Sequence, residues 1–142
     1  MKQNGSCLCG EVRYEIDSDF KLAMNCHCGF CRKAHAAPYV TAAFVPLKAL
    51  NIVNGESEVK KYSFGKDKNR CFCSKCGTRL FNEIPFPGFV SLMLGTLEKP
   101  ELVEPRFHIN TKSKLPTLEI VDSLPQYEEF PDTAEIGKML AG

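Results

Sequence analysis

All eight cysteines of the chain fall into three short clusters: Cys7 and Cys9 in GSCLCGEV, Cys26, Cys28 and Cys31 in NCHCGFCRKAH, and Cys71, Cys73 and Cys76 in RCFCSKCGT. Residues i and i+2 of an extended segment point to the same side, so each C-x-C offers two sulfurs on one face about 7 Å apart along the strand. A C-x-x-C at a turn brings its sulfurs closer, and Gly77 directly after Cys76 suits the tight backbone of such a knuckle. Zinc takes four thiolates tetrahedrally at about 2.3 Å. Cys7 and Cys9 with Cys73 and Cys76 would complete one closed site, tying the start of the chain to its middle and coupling folding to metal.

Cys26, Cys28 and Cys31 then form a triplet, three thiolates for a metal that prefers four ligands. His35, Cys71, or a water or substrate could take the fourth position. Protein closure makes a site structural, whereas a vacancy lets it polarise or activate something. With three thiolates Zn²⁺ already carries a formal charge of −1, so it acidifies bound water less than sites with neutral ligands do. A soft, sulfur-rich site is better suited to an incoming thiol, held as thiolate for attack on an electrophile. Arg32 and Lys33 are expected to offset the added charge if they turn inward; with Arg70 they are also candidate anchors for a carboxylate. His27, between two ligands, is expected to point away from the metal as a solvated or pocket-edge side chain. His108, on an alternating segment, is expected to be structural, with a proton-carrying place in the pocket as the alternative.

The elements that must position these residues are short. Period-two alternation recurs in EVRYEI, with Val12, Tyr14 and Ile16 on one face, and in YVTAAF, SEVKKYSF, RLFNE, FVSLML and RFHIN. Breakers separate them at Pro46, NGES (54–57), FGKDKN (64–69), IPFPG (84–88) and EKPE (98–101). This pattern predicts a mainly β domain, 1–142, with a helical turn around FCRKAH and a C-terminal helix in PDTAEIGKMLA capped by Asp132 or Thr133. Phe81, Phe86 and Phe89 are expected in the core or in loop packing, with NEIPFPGF as the alternative pocket rim. Lysine and arginine total 18 against 17 acidic residues, so no global field favours nucleic acid or an anionic membrane, and binding either would require a local patch. The first residues, MKQNGSCLCGEVRYE, lack the apolar core of a signal peptide, and no run is long enough to span a bilayer. A cytoplasmic protein is expected, where reduced cysteine pairs hold metal more often than they bridge.

The succession GSCLCGEVRYE, NCHCGFCRK, FCSKCGTRLF and FHIN…DSLPQYEEFP resembles the glutathione-dependent formaldehyde-activating enzyme family, which includes centromere protein V. That resemblance, covering about Gly5 to Pro131, implies an Mss4-like β-tent of short antiparallel strands around zinc. It implies a structural zinc on Cys7, Cys9, Cys73 and Cys76, and a second, catalytic and more readily lost zinc on Cys26, Cys28 and Cys31. The implied activity is carbon–sulfur lyase chemistry, addition of a thiol such as glutathione to a small aldehyde such as formaldehyde, or its reversal. The partners are then a small-molecule thiol and an aldehyde, with no nucleic acid and no membrane. This chain departs from the family in having KLPTLE where many members carry a tryptophan, and in its additional Cys71. Two other classes remain: a non-catalytic zinc-stabilised binding module if the second site is closed, and a redox sensor if the triplet forms a disulfide on oxidation.

Overall fold

The computed structural model describes residues 2–84 and 88–141, with side chains through residue 139. Among the described residues it is mainly β: ten strands in two sheets, with two short α-helices. The chain divides into two compact units, Met1–Phe20 with Ala43–Val103, and Lys21–Ala42 with Glu104–Gly142.

In the first unit, β1 (Lys2–Ser6), β2 (Arg13–Asp17) and β5 (Leu50–Asn54) form an antiparallel sheet with β2 central. Val12, Tyr14 and Ile16 are all buried, as their alternation predicts. Across the ladder Gly5 pairs with Tyr14. A Cβ at Gly5 would run into the Tyr14 ring and lie 2.7 Å from the Thr96 carbonyl, so the phenol lies over bare backbone and reaches the Thr96 hydroxyl at 2.5 Å. The same unit holds an antiparallel run of β6 (Val59–Gly65), β7 (Lys68–Cys73), β8 (Arg79–Ile84) and β9 (Phe89–Met93). One face of this run, carrying Cys71, Phe81 and Leu92, is buried. The β6–β7 turn is tighter than the FGKDKN stretch suggests, because Asp67 adopts a left-handed conformation (φ 57°) and Lys68 already pairs with Gly65.

In the second unit β3 (Leu22–Cys26) pairs in parallel with β10 (Phe107–Ile109), which departs from the all-antiparallel expectation. β10 is buried at all three positions, and its other side is fixed by backbone hydrogen bonds between His108 and residues Pro125 and Tyr127. β4 (Val40–Pro46) runs from the second unit into the first. Helix α1 (Gly29–His35) realises the helical turn expected at FCRKAH, and α2 (Thr133–Ala141) the terminal helix, with the Glu135 amide donating to Asp132 Oδ1 at 2.8 Å. Phe81 is buried and Phe89 partly exposed; Phe86 and most of IPFPG lie outside the described residues. No helix among the described residues is long and apolar enough to cross a membrane.

Candidate functional site

Two cysteine clusters have the geometry of metal centres, and none of the eight cysteines is in a disulfide. The first brings the sulfurs of Cys7, Cys9, Cys73 and Cys76 within 4.8 Å of one another. Cys7 and Cys9 Sγ are 3.6 Å apart, and Cys9 and Cys73 Sγ 3.9 Å. A tetrahedron of sulfurs about 2.3 Å from zinc has edges of about 3.8 Å, so the donor set fits that ion. Two turns shape the cluster. In one, the Cys7 amide donates to the Val12 carbonyl, Gly10 takes φ 81°, and the Val12 amide donates to Cys7 Sγ at 3.3 Å. In the other, the Gly77 amide donates to the Cys73 carbonyl at 2.8 Å, with Gly77 at φ 80°. Thr78, which sequence reasoning did not single out, joins the turns: its Oγ1 accepts from the Leu8 amide at 3.0 Å and lies 3.2 Å from Cys76 Sγ. That hydroxyl, with backbone at Cys9 and Thr78, draws the Cys76 thiol down to about 5. Cys7 is lowered as well, whereas the neighbouring thiols push Cys9 up to about 12, so the cluster divides into thiols that ionise readily and one that keeps its proton.

The second cluster brings together Cys26, Cys28 and Cys31, again with sulfurs within 4.8 Å, and no fourth protein ligand joins them among the described residues. Cys26 closes β3, Cys28 is the N-cap of α1, and Cys31 lies in its first turn. Cys28 Sγ accepts from the Cys31 amide at 3.2 Å, so one sulfur caps the helix and faces the cluster together. A seven-residue helix is too short to stand alone; this cap and the left-handed Ala36 (φ 49°), whose amide bonds the Arg32 and Lys33 carbonyls, define its two ends. Hydrogen bonding from Cys26 and then Cys31 holds the Cys28 thiol down to about 2, while the same neighbours push Cys31 far up and Cys28 pushes Cys26 up. As a group, three crowded thiols release one proton readily and resist losing the next two, which a divalent cation would reverse. Asn110, directly after β10, directs its Nδ2 toward Cys26 Sγ at 3.5 Å.

His35 is the last residue of α1 and does not belong to either sulfur cluster. Cys71 is buried on β7, outside both clusters, with burial pushing its thiol up to about 12. Arg32 donates through Nη2 to the Ser113 carbonyl at 3.1 Å, and with Lys33, Ala36, Ala37, Pro38 and Leu115 it lines an open cavity of about 340 Å³. Arg70 stacks on Phe64. His27 differs from expectation: it is fully buried, not solvated, because the face of its segment opposite the cysteines is covered by β10. There its Nε2 meets His108 Nδ1 at 2.9 Å, and His108 Nε2 meets Asp122 at 3.0 and 3.1 Å. His108 is thus buried and bonded through both ring nitrogens, and Asp122 is a residue that no periodicity announced.

A crystal structure of a Rhodobacter sphaeroides protein superposes with a TM-score of 0.59 at 28% identity, covering 72% of this chain and 96% of that one. The family model for glutathione-dependent formaldehyde-activating enzyme matches residues 2–113, which include all eight cysteines and both turns that shape the first cluster. On that match the chain belongs to the glutathione-dependent formaldehyde-activating enzyme family.

Proposed function

We propose that the chain is a zinc-dependent carbon–sulfur lyase-like enzyme of the cytoplasm, joining a thiol to a small aldehyde or reversing that addition. The observation that carries this reading is the three-sulfur cluster of Cys26, Cys28 and Cys31, to which no described residue adds a fourth ligand. The cluster of Cys7, Cys9, Cys73 and Cys76 is assigned to structural zinc, the triplet to catalytic zinc. Zinc bound at the triplet would supply a Lewis-acid position that lowers the pKa of an incoming thiol.

The chain's own residues would do the rest. Asn110, with its amide toward Cys26, offsets negative charge on the sulfurs. Arg32 and Lys33 place two cations on the cavity beside α1, which suits a thiol that carries carboxylates, as glutathione does. In the addition the thiol sulfur bonds to the carbonyl carbon, the C=O π bond breaks, and the thiol proton ends on the carbonyl oxygen, giving a hemithioacetal with nothing oxidised or reduced. The gain comes from a higher thiolate fraction at neutral pH and from orientation of the two reactants.

The test is hemithioacetal formation from formaldehyde with glutathione and simpler thiols, on freshly zinc-loaded protein. Catalysis should vanish in Cys28→Ser, with zinc falling from two equivalents to one, and survive in Cys71→Ser with both zincs retained. Loss of a zinc in Cys71→Ser would close the site, and absence of turnover with every thiol would favour a zinc-stabilised binding module.

A further inference from the structure

The net charge of +1 conceals a strong local imbalance. Residues 60–79 carry seven of the 18 basic residues and one of the 17 acidic ones, a local charge of +6 that leaves −5 for the other 122 residues. The sheet places much of that charge on one face. In β6 and β7, Lys60 pairs with Phe72 and Tyr62 with Arg70, and Phe72 in turn pairs with Arg79 on β8. These side chains share the face opposite buried Cys71 and Cys73. On this open face Tyr62 is 62% exposed and Phe64 41% exposed.

The cations and rings are interleaved and partly pre-arranged. The Arg70 guanidinium lies 5.0 Å from the Phe64 ring centre, and that of Arg79 lies 4.9 Å from Phe72. Stacking of this kind holds a planar fork of donors against a ring, which limits the rotamer entropy lost on binding an anion. Among the described residues no carboxylate is ion-paired with Lys60, Arg70 or Arg79; the pairs nearby are Lys61 with Glu83 and Lys75 with Glu11. Exposed rings beside cations that have no carboxylate partner suit a ligand with both flat apolar faces and regular negative charge.

We propose that this face of β6–β7–β8 binds single-stranded nucleic acid, with bases stacking on Tyr62 and Phe64 and phosphates meeting Lys60, Arg70 and Arg79. Base–aromatic stacking on a sheet surface beside a cationic track needs no sequence readout. A duplex is disfavoured, since its bases are stacked inside and offer no free face to Tyr62 or Phe64. An acidic peptide would satisfy the cations and leave the two rings unused. A second copy of the chain would set the same cations, Lys60, Arg70 and Arg79, against one another.

The test is fluorescence anisotropy of labelled dodecauridylate and dodecathymidylate titrated with the full-length zinc-loaded protein across a salt series. Binding should be saturable at low salt, and Tyr62→Ala or Phe64→Ala should weaken it about tenfold while Tyr62→Phe retains it. Lys60→Gln should lower the slope of log affinity against log salt by about one. Each variant must keep two zinc equivalents, which separates lost binding from lost fold. The proposal is overturned by no binding at low salt, by Tyr62→Ala binding as well as wild type while Lys60→Gln does not, or by equal affinity for duplex. Stronger retention on anionic vesicles, or self-association that Tyr62→Ala abolishes, would also overturn it.

Discussion

His27 Nε2 lies 2.9 Å from His108 Nδ1, and the far side of the His108 ring reaches the Asp122 carboxylate at 3.0 Å. Both imidazoles are buried, whereas Asp122 is half-exposed. The His108 hydrogen bond and the Leu124 amide hold the Asp122 carboxyl below its usual range, so it is ionised and accepts from His108 Nε2–H. In the neutral tautomer this leaves His108 Nδ1 as acceptor for His27 Nε2–H. Burial, reinforced by His108, keeps the His27 pKa low, and its Nδ1 is a buried nitrogen without a partner. The network therefore ends on the residue between Cys26 and Cys28.

His108→Phe is expected to cost about 2–3 kcal/mol, because it strands the His27 donor in the interior. Asp122→Asn should cost less than His108→Phe, since its carboxylate is half-exposed. Urea unfolding at pH 7.5 measures both. In the same His108→Phe protein the second zinc equivalent should bind more weakly and the first unchanged, since His27 sits between two triplet cysteines. Equal weakening of both would make the network a general prop for the fold.

Metal removal should proceed in two stages. Three sulfurs hold zinc less firmly than four, so a mild chelator is expected to take one equivalent with little change in the melting temperature. A stronger one should take the second, with loss of the cooperative transition, because the four-sulfur cluster fixes the Cys7–Val12 and Cys73–Thr78 turns together. Zinc release followed against calorimetry checks the order. A single stage, with both ions leaving together, would contradict it.

What could be read in the sequence was whatever is written locally. The pairs Cys7/Cys9 and Cys73/Cys76 and the triplet follow from spacings of two and three residues, and the β2 face from Val12, Tyr14 and Ile16, since each signal lies within one turn or strand; that the two pairs share one site joins segments more than sixty residues apart. The strand β1, Lys-Gln-Asn-Gly-Ser, was illegible: nothing in it favours extension except pairing with β2 from Lys2↔Asp17 to Ser6↔Arg13. β3 has three consecutive buried residues, Ala23, Met24 and Asn25, and so carries no alternation. The burial of His27 depends on β10, some eighty residues away, which a local pattern cannot anticipate.

Gly5 is expected to be intolerant of any side chain although its backbone is ordinary extended strand. Its missing Cβ is where the Tyr14 phenol lies, with the Thr96 carbonyl 2.7 Å from the same point. Neither neighbour yields easily, since Tyr14 is buried and tied to Thr96, and the carbonyl is main chain. Gly5→Ala should destabilise by about 2–3 kcal/mol in urea unfolding, and Gly5→Ala with Tyr14→Ala should recover part of that loss relative to Tyr14→Ala alone. Strict additivity of the two would show that the clash is relieved elsewhere.

Tyr14 also predicts an alkaline limit to stability. Burial, opposed by its hydrogen bond with Thr96, pushes the phenol from 10.0 up to about 12. Between those values the folded chain keeps a proton that the unfolded chain has lost, so stability falls as pH rises through the window and is unaffected below it. A shift of this size amounts to about 3 kcal/mol at its fullest, with about half of it lost by pH 11. Urea unfolding of wild type and Tyr14→Phe at pH 9, 10 and 11 isolates the effect, since the cysteines and lysines titrate alike in both. Tyr14→Phe should begin about 1 kcal/mol below wild type at pH 9, from the lost hydrogen bond, and close that gap by pH 11. Parallel curves for the two proteins would assign the alkaline loss to the thiols of the metal clusters and remove Tyr14 from the account.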